Sequence, residues 1–339
     1  MRALPKAFCV QRPPEGYADG MNNPLRGLID TLDRYQRRHS WLGFPYGVVK
    51  KFGEDEAGSK AALIAYYGFF SLFPLLLVMA TVLGFLLHDN SRLQNDVVHS
   101  VISRIPVIGD QIKVHALNGS ALALAIGIAG ALWGGMGVVR AGQAAMDTVW
   151  YVPRQARPNF VRSRLRALLL LLVLGAGVIL SVVLTGLATA GTGHSAVTKA
   201  LVLVISTGVN FGVFLAAMKL LTVADVSWSQ LVPGAVIAAL AGIALQALGS
   251  YIVNHTLVRA DKTYGLFGTV IALLSWIYLQ AQVLLFAAEV NPVRALHLWP
   301  RAVNAERPTD VDMRVLRDLV RTEQRRPDED VDVEFRRVG

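Results

Sequence analysis

The residue types that usually carry chemistry are thinly spread along this chain of 339 residues. Metal-assisted phosphodiester cleavage needs clustered His, Asp and Glu to hold cations and activate water. The seven histidines, His39, His88, His99, His115, His194, His255 and His297, are scattered. No two of them are close enough to form a local ligand pair. The single cysteine, Cys9, excludes an internal disulfide and any cysteine-based metal cluster. Neither a phosphate-cradling GxxxxGKS/T loop nor a GxSxG nucleophile elbow occurs. The sequence therefore predicts no catalytic residue, no bound metal and no cofactor.

A second set of polar residues is conspicuous for where it falls. Asn210, Gln246, Gln280 and Gln282 interrupt long apolar runs, where a polar group is costly unless it has a partner or faces water. They serve either as hydrogen-bonding glue between helices, or Asn210, Gln246 and Gln280 line a common polar cavity. Glu289 ends the last apolar run, where a helix C-terminus disfavours an acid and calls for a cation. Arg140, at the matching end of an earlier run, is the expected partner, in a structural pair or, alternatively, in proton or substrate coupling. Five arginines, Arg154, Arg157, Arg162, Arg164 and Arg166, crowd one connection and suit contact with anionic lipid headgroups. RNA would need more stacking aromatics than the nearby Tyr151 and Phe160, so no nucleic acid is expected.

The elements that position these groups follow from composition. Hydrophobic residues make up 53% of the chain and charged ones 17%, against roughly 25% in soluble domains. Six blocks carry no Asp, Glu, Lys or Arg: 61–88, 114–139, 167–198, 200–218, 226–258 and 263–288. A spanning helix takes about 20 apolar residues, which each block meets or nearly meets. The expectation is an all-α, polytopic membrane protein with six transmembrane helices, at about 61–87, 119–139, 166–190, 200–221, 231–253 and 266–290. A soluble enzyme, a secreted disulfide scaffold and a disordered chain are excluded.

Orientation follows from the cations. Segments 1–60, 140–166, 219–225 and the stretch after 290 hold 27 of the 33 Lys and Arg. Basic residues are retained on the cytoplasmic side, so both termini are expected there. Residues 1–40 read as a flexible arm, and 41–60 as an amphipathic helix lying at the inner interface. Pro74 should kink the first span, because it removes a backbone hydrogen bond. Leu93, Val97, Val98, Val101 and Ile102 predict an external amphipathic segment over 91–105. Gly130 and Gly134, four apart, fit close helix packing. Residues 296–339 read as a charged cytoplasmic tail carrying one short helix, with Thr309 as its cap.

Three stretches carry a family resemblance: AALIAYYGFFSLFPLLL at 61–77, LWGGMGVVRAGQAAMDTVWYV at 132–152 and YGLFGTVIALLSWIYLQAQVLLFAAEVN at 264–291. Together they resemble the YihY/virulence factor BrkB family, also labelled ribonuclease BN-like. The resemblance covers roughly 41–295 and implies a six-span bacterial inner-membrane protein. It delivers no activity: the ribonuclease name is regarded as a misassignment and the virulence name describes a phenotype. Links of some relatives to lipid export point toward transport, or a transport-accessory role, for lipid or envelope material. The alternative is a non-transporting scaffold for envelope machinery, and a membrane-bound ribonuclease comes last. The partners expected are the bilayer itself and a lipid substrate; the oligomeric state is left open.

Overall fold

The computed structural model describes residues 24–86, 121–157, 159–190, 196–252, 258–304, 308–326, 328, 329, 331 and 333. Every regular element among them is helical. Two short helices, α1 (Pro24–Arg38) and α2 (Ser40–Glu54), precede α3 (Ala57–Leu86). Then come α4 (Ala121–Val149), α5 (Phe160–Ala190), α6 (Ala196–Leu221), α7 (Trp228–Ile252) and α8 (Val258–Ala295). A last short helix, α9 (Asp310–Arg321), closes the described part. The expected external segment at 91–105 lies outside the described residues.

Helices α3 to α8 pack in a closed ring, each on its chain neighbour and α8 back on α3. Over the described residues, Ala57–Val78, Ala121–Val149, Trp228–Gln246 and Val270–Ala295 are long and apolar enough to cross a membrane. Leu122, Ile126, Trp133, Val161, Leu165 and Leu172 point their side chains outward. Such a continuous apolar exterior suits hydrocarbon and would be a liability in water. The interior is built instead from small residues, among them Ala57, Ala61, Ala141, Ala145, Ala235, Ala238, Ala287 and Ala288. In lipid there is no hydrophobic drive between helices, so close van der Waals approach must hold them.

Glycines on α4 provide that approach. A Cβ at Gly134 would stand 2.9 Å from the Ser71 Cα, and one at Gly130 would stand 2.8 Å from the Pro74 ring. The packing role expected of Gly130 and Gly134 is thus observed. Pro74 sits inside a continuous α3 and is the residue that Gly130 accommodates.

Several expectations are corrected. The arm is not uniformly irregular, since α1 begins at Pro24 and buries Asp33 and Gln36. The segment 41–60 is not one surface helix: α2 stops at Glu54, Glu56 takes a left-handed φ of 51°, and α3 starts at Ala57. Gly43, Gly47, Val48 and Lys51 of α2 are buried, packed against α8 and the residues after it. α4 continues ten residues past the predicted end at 139, and α5 begins six residues before 166, taking in Arg162 and Arg164. Charge ends an apolar run without ending a helix, because the backbone ladder is indifferent to side-chain polarity. The tail is not free either. Leu298, Arg301, Ala302 and Val315 are buried, and Thr309 closes a capping box with Asp312 at the start of α9.

Candidate functional site

One end of the ring holds a cluster of ionisable groups withdrawn from solvent. It begins with the spacing of α2: Gly43, Gly47, Lys51 and Asp55 are four apart and share one helical face. The two glycines let that face approach closely, with Gly47 set against the backbone of Leu298. Lys51 is thereby carried against α8. Its ammonium lies 3.0 Å from Glu289 Oε2 and bonds Asp55 Oδ2 one turn along its own helix. All three side chains are enclosed, at 0%, 0% and 1% exposure for Lys51, Glu289 and Asp55. The Tyr151 ring lies 4.3 Å from the same ammonium, presented from a left-handed turn (φ 52°) after α4.

The electrostatics of this cluster are set by enclosure. Burial alone would disfavour the charged form of Lys51, but the Glu289 and Asp55 carboxylates outweigh it and push its pKa upward. Burial also pushes the Tyr151 phenol up. Glu289 Oε1, Asp55 Oδ1 and the Tyr151 hydroxyl have no hydrogen-bond partner.

This is where the expected Arg140–Glu289 pair fails. The cation at Glu289 is Lys51, whereas Arg140 sits on an exposed face of α4. An exposed arginine retains its hydration, so the buried carboxylate is matched by the cation that burial itself delivers.

A second network lies beside the first and ties the chain's distant parts together. Arg301 reaches Asp312 at 2.6 Å and both Glu54 oxygens at 2.7 Å, a two-oxygen grip that suits a guanidinium. Lys50 joins Asp312 at 2.9 Å, and the backbone N–H groups of Ala302 and Thr309 also donate to Asp312. Burial would raise the Asp312 carboxyl, yet these donors hold it well below the usual carboxylate range. From α1, Asp33 accepts the Val303 N–H at 2.8 Å, and Gln36 donates to the Arg301 carbonyl.

The remaining expected residues disperse. A cavity of about 240 Å³ opens between α3, α6, α7 and α8, lined by Ile64, Phe214, Ala238, Gly242, Leu245 and Gln280 among others. Among the described residues that line it, Gln280 is the single polar side chain. Asn210 and Gln246 are not among the residues that line it. Gln282 instead donates to the Tyr278 hydroxyl at 2.9 Å. The five arginines also separate. Arg154 pairs with Glu323 at 3.0 Å and Arg157 turns inward to the buried Asp147 at 3.6 Å. Arg166 is half-buried, while Arg162 and Arg164 stay exposed. Among the described residues, no three His, Cys, Asp or Glu side chains group as metal ligands.

Asn291, two residues after Glu289, was missed by sequence reasoning. Its Oδ1 accepts the Gly234 N–H at 2.7 Å, and a Cβ at Gly234 would stand 2.4 Å from the Ala287 carbonyl. Proline at 233 and glycine at 234 mark a backbone that is approached closely, which was the available signal.

A closed ring of apolar helices, clamped at one end by enclosed ion pairs, defines a multi-pass helical membrane protein. The chain belongs to the virulence factor BrkB family, whose model matches residues 48–310. It is 26% identical over 267 residues to a Bacillus subtilis (strain 168) protein named as ribonuclease-like YfkH, covering 74% of this chain and 94% of that relative. No solved structure matches it. The matched region takes in Lys51, Asp55, Glu289 and Arg301 and ends at the first residue of α9.

Proposed function

We propose that this is a bacterial inner-membrane protein that moves lipid or envelope material, or assists its movement. Both termini face the cytoplasm in this reading, and the ion networks form the cytoplasmic end. The observation that carries it is the cavity of about 240 Å³ among α3, α6, α7 and α8. Its apolar lining accepts hydrocarbon, and Gln280 offers one hydrogen-bonding point for a polar linkage. The volume is below the ~300 Å³ of typical small-molecule sites, which suits part of an acyl chain rather than a whole lipid. Arg162 and Arg164, exposed near the start of α5, would hold anionic headgroups at the same end.

Lipidomic analysis of protein purified in nanodiscs tests this reading. Wild type should retain a restricted set of lipids, and Gly242→Phe or Gln280→Leu should shed it. Retention of bulk lipid alone, unchanged in both variants, would overturn it. Labelling after replacing Cys9 tests the orientation: a cysteine at 160 should react only from the cytoplasmic side.

A scaffold role is the second reading. It is favoured by the Arg301–Asp312–Glu54 network, which makes the cytoplasmic end an ordered platform. Envelope proteins crosslinked at that end, with no lipid retained in the cavity, would favour it. A nuclease reading has its warrant in the name given to YfkH. The purified protein is expected to leave tRNA intact with Mg²⁺, Mn²⁺ or Zn²⁺ present. Cleavage abolished by substituting a His or Asp of this chain would reverse that expectation.

A further inference from the structure

The enclosed cluster does not balance its charge. One ammonium, Lys51, stands against two carboxylates, Asp55 and Glu289, and each side chain is at most 1% exposed. An uncompensated charge at such a place costs several kcal/mol, and a carboxylate so placed takes up a proton instead.

Among the described residues, no second cation is paired with these oxygens. From α3, Lys60 bonds the Asp55 backbone carbonyl, not its carboxylate. Arg301 is held by Glu54 and Asp312, and Lys50 by Asp312. From the turn after α4, Tyr151 brings a neutral ring and hydroxyl. Arg157 is paired with Asp147.

Two observations besides the charge count point to a ligand. Glu289 Oε1 and Asp55 Oδ1 are buried with no hydrogen-bond partner. The two carboxylates also meet on one ammonium: Glu289 Oε2 lies 3.0 Å from Lys51 Nζ, and Asp55 Oδ2 accepts from the same nitrogen. One added hydrogen therefore meets the charge imbalance and the unmet bonding together.

We infer that Asp55 and Glu289 hold a single exchangeable proton between them beside the Lys51 ammonium, making the α2–α8 junction a proton-binding site. The proton belongs to the pair rather than to either residue. Its release breaks one carboxyl O–H bond and passes the proton to water, leaving the cluster with one net negative charge. The site stands apart from the cavity and holds whether or not that cavity takes lipid.

The test is pH-difference infrared spectroscopy of the full chain in nanodiscs, between about pH 7 and about pH 9, above the ~4 at which exposed carboxyls titrate and within the range documented for buried ones. Wild type should show the carbonyl stretch of one protonated carboxylic acid, shifted in D₂O. Removing either acid removes the imbalance, so the band should vanish in both Asp55→Asn and Glu289→Gln. These replacements keep the side-chain shape, and a melting curve for each verifies folding. Lys51→Met should double the band, because two carboxyls then lack any cation. The Asp147→Asn protein is the control and should keep the band. No band in wild type, or a band that survives either Asp55→Asn or Glu289→Gln, overturns the proposal.

Discussion

Lys51 on α2 and Glu289 on α8 meet at 3.0 Å with neither side chain touching solvent. Removing one partner of an enclosed pair strands the other, but the presence of Asp55 makes the two removals unequal. Lys51→Met leaves Asp55 and Glu289 with no cation, neutral only by taking up protons, and should cost about 3–5 kcal/mol. Glu289→Gln leaves the neutral Lys51–Asp55 pair and should cost less than about 1.5 kcal/mol, the scale of one ordinary hydrogen bond. Thermal unfolding in one detergent would order the two variants. Equal destabilisation would refute this asymmetry.

The α3–α4 interface should respond to single methyl groups. Gly134→Ala presses on the Ser71 backbone and Gly130→Ala on the rigid Pro74 ring. Neither neighbour can yield readily, so each should destabilise by about 1–3 kcal/mol. Gly212→Ala, with nothing within 4 Å of the new atom, should be neutral or slightly stabilising. Melting temperatures of the three variants check this contrast.

Asn291 should matter through one bond. Asn291→Leu leaves the buried Gly234 N–H without its acceptor, a loss of about 1–3 kcal/mol. Gly234→Ala should be at least as harmful, because the clash is with the Ala287 carbonyl of the α8 backbone. Detergent melts and the yield of folded protein would report both.

Acid should release the C-terminal segment only late. Asp312 has its folded-state pKa lowered by Arg301, Lys50 and backbone donors. A lowered carboxyl contributes stability above its unfolded value of about 3.9, and loses it as pH falls through the lower folded value. Docking of α9 should therefore persist at about pH 4 and fail below it. Spin labels at the exposed Val49 and Leu316 would read the α2–α9 separation. In Asp312→Asn the separation should already broaden at neutral pH.

Much of the helical ring was legible because long charge-free runs leave few alternatives in a membrane. The capping role of Thr309 and the glycine packing on α4 were also local, resting on residues three or four apart. The ion cluster was not legible. KKFGEDE falls within the stretch that reads as an interfacial amphipathic helix, and nothing near Lys51 in sequence announces residue 289. The available clue was the fourfold spacing of Gly43, Gly47, Lys51 and Asp55, which puts small residues and charges on one face. Arg140 was chosen because it shared Glu289's depth. Depth says nothing about which way around the helix a side chain points.

The stitching of α1 and α2 to the segment after α8 joins partners 247 to 274 residues apart. At about 5–20 residues per second of synthesis, roughly 12–50 s separate the emergence of Glu54 from that of Arg301. Throughout that interval the first two helices lack their partners in the segment after α8, while the ring assembles beyond them. Their final docking is thus a certificate of completion. A chain stopped short of Arg301 would carry Lys50 and Glu54 as unclaimed charges on a loose helical pair, and a quality-control protease could recognise it by that alone.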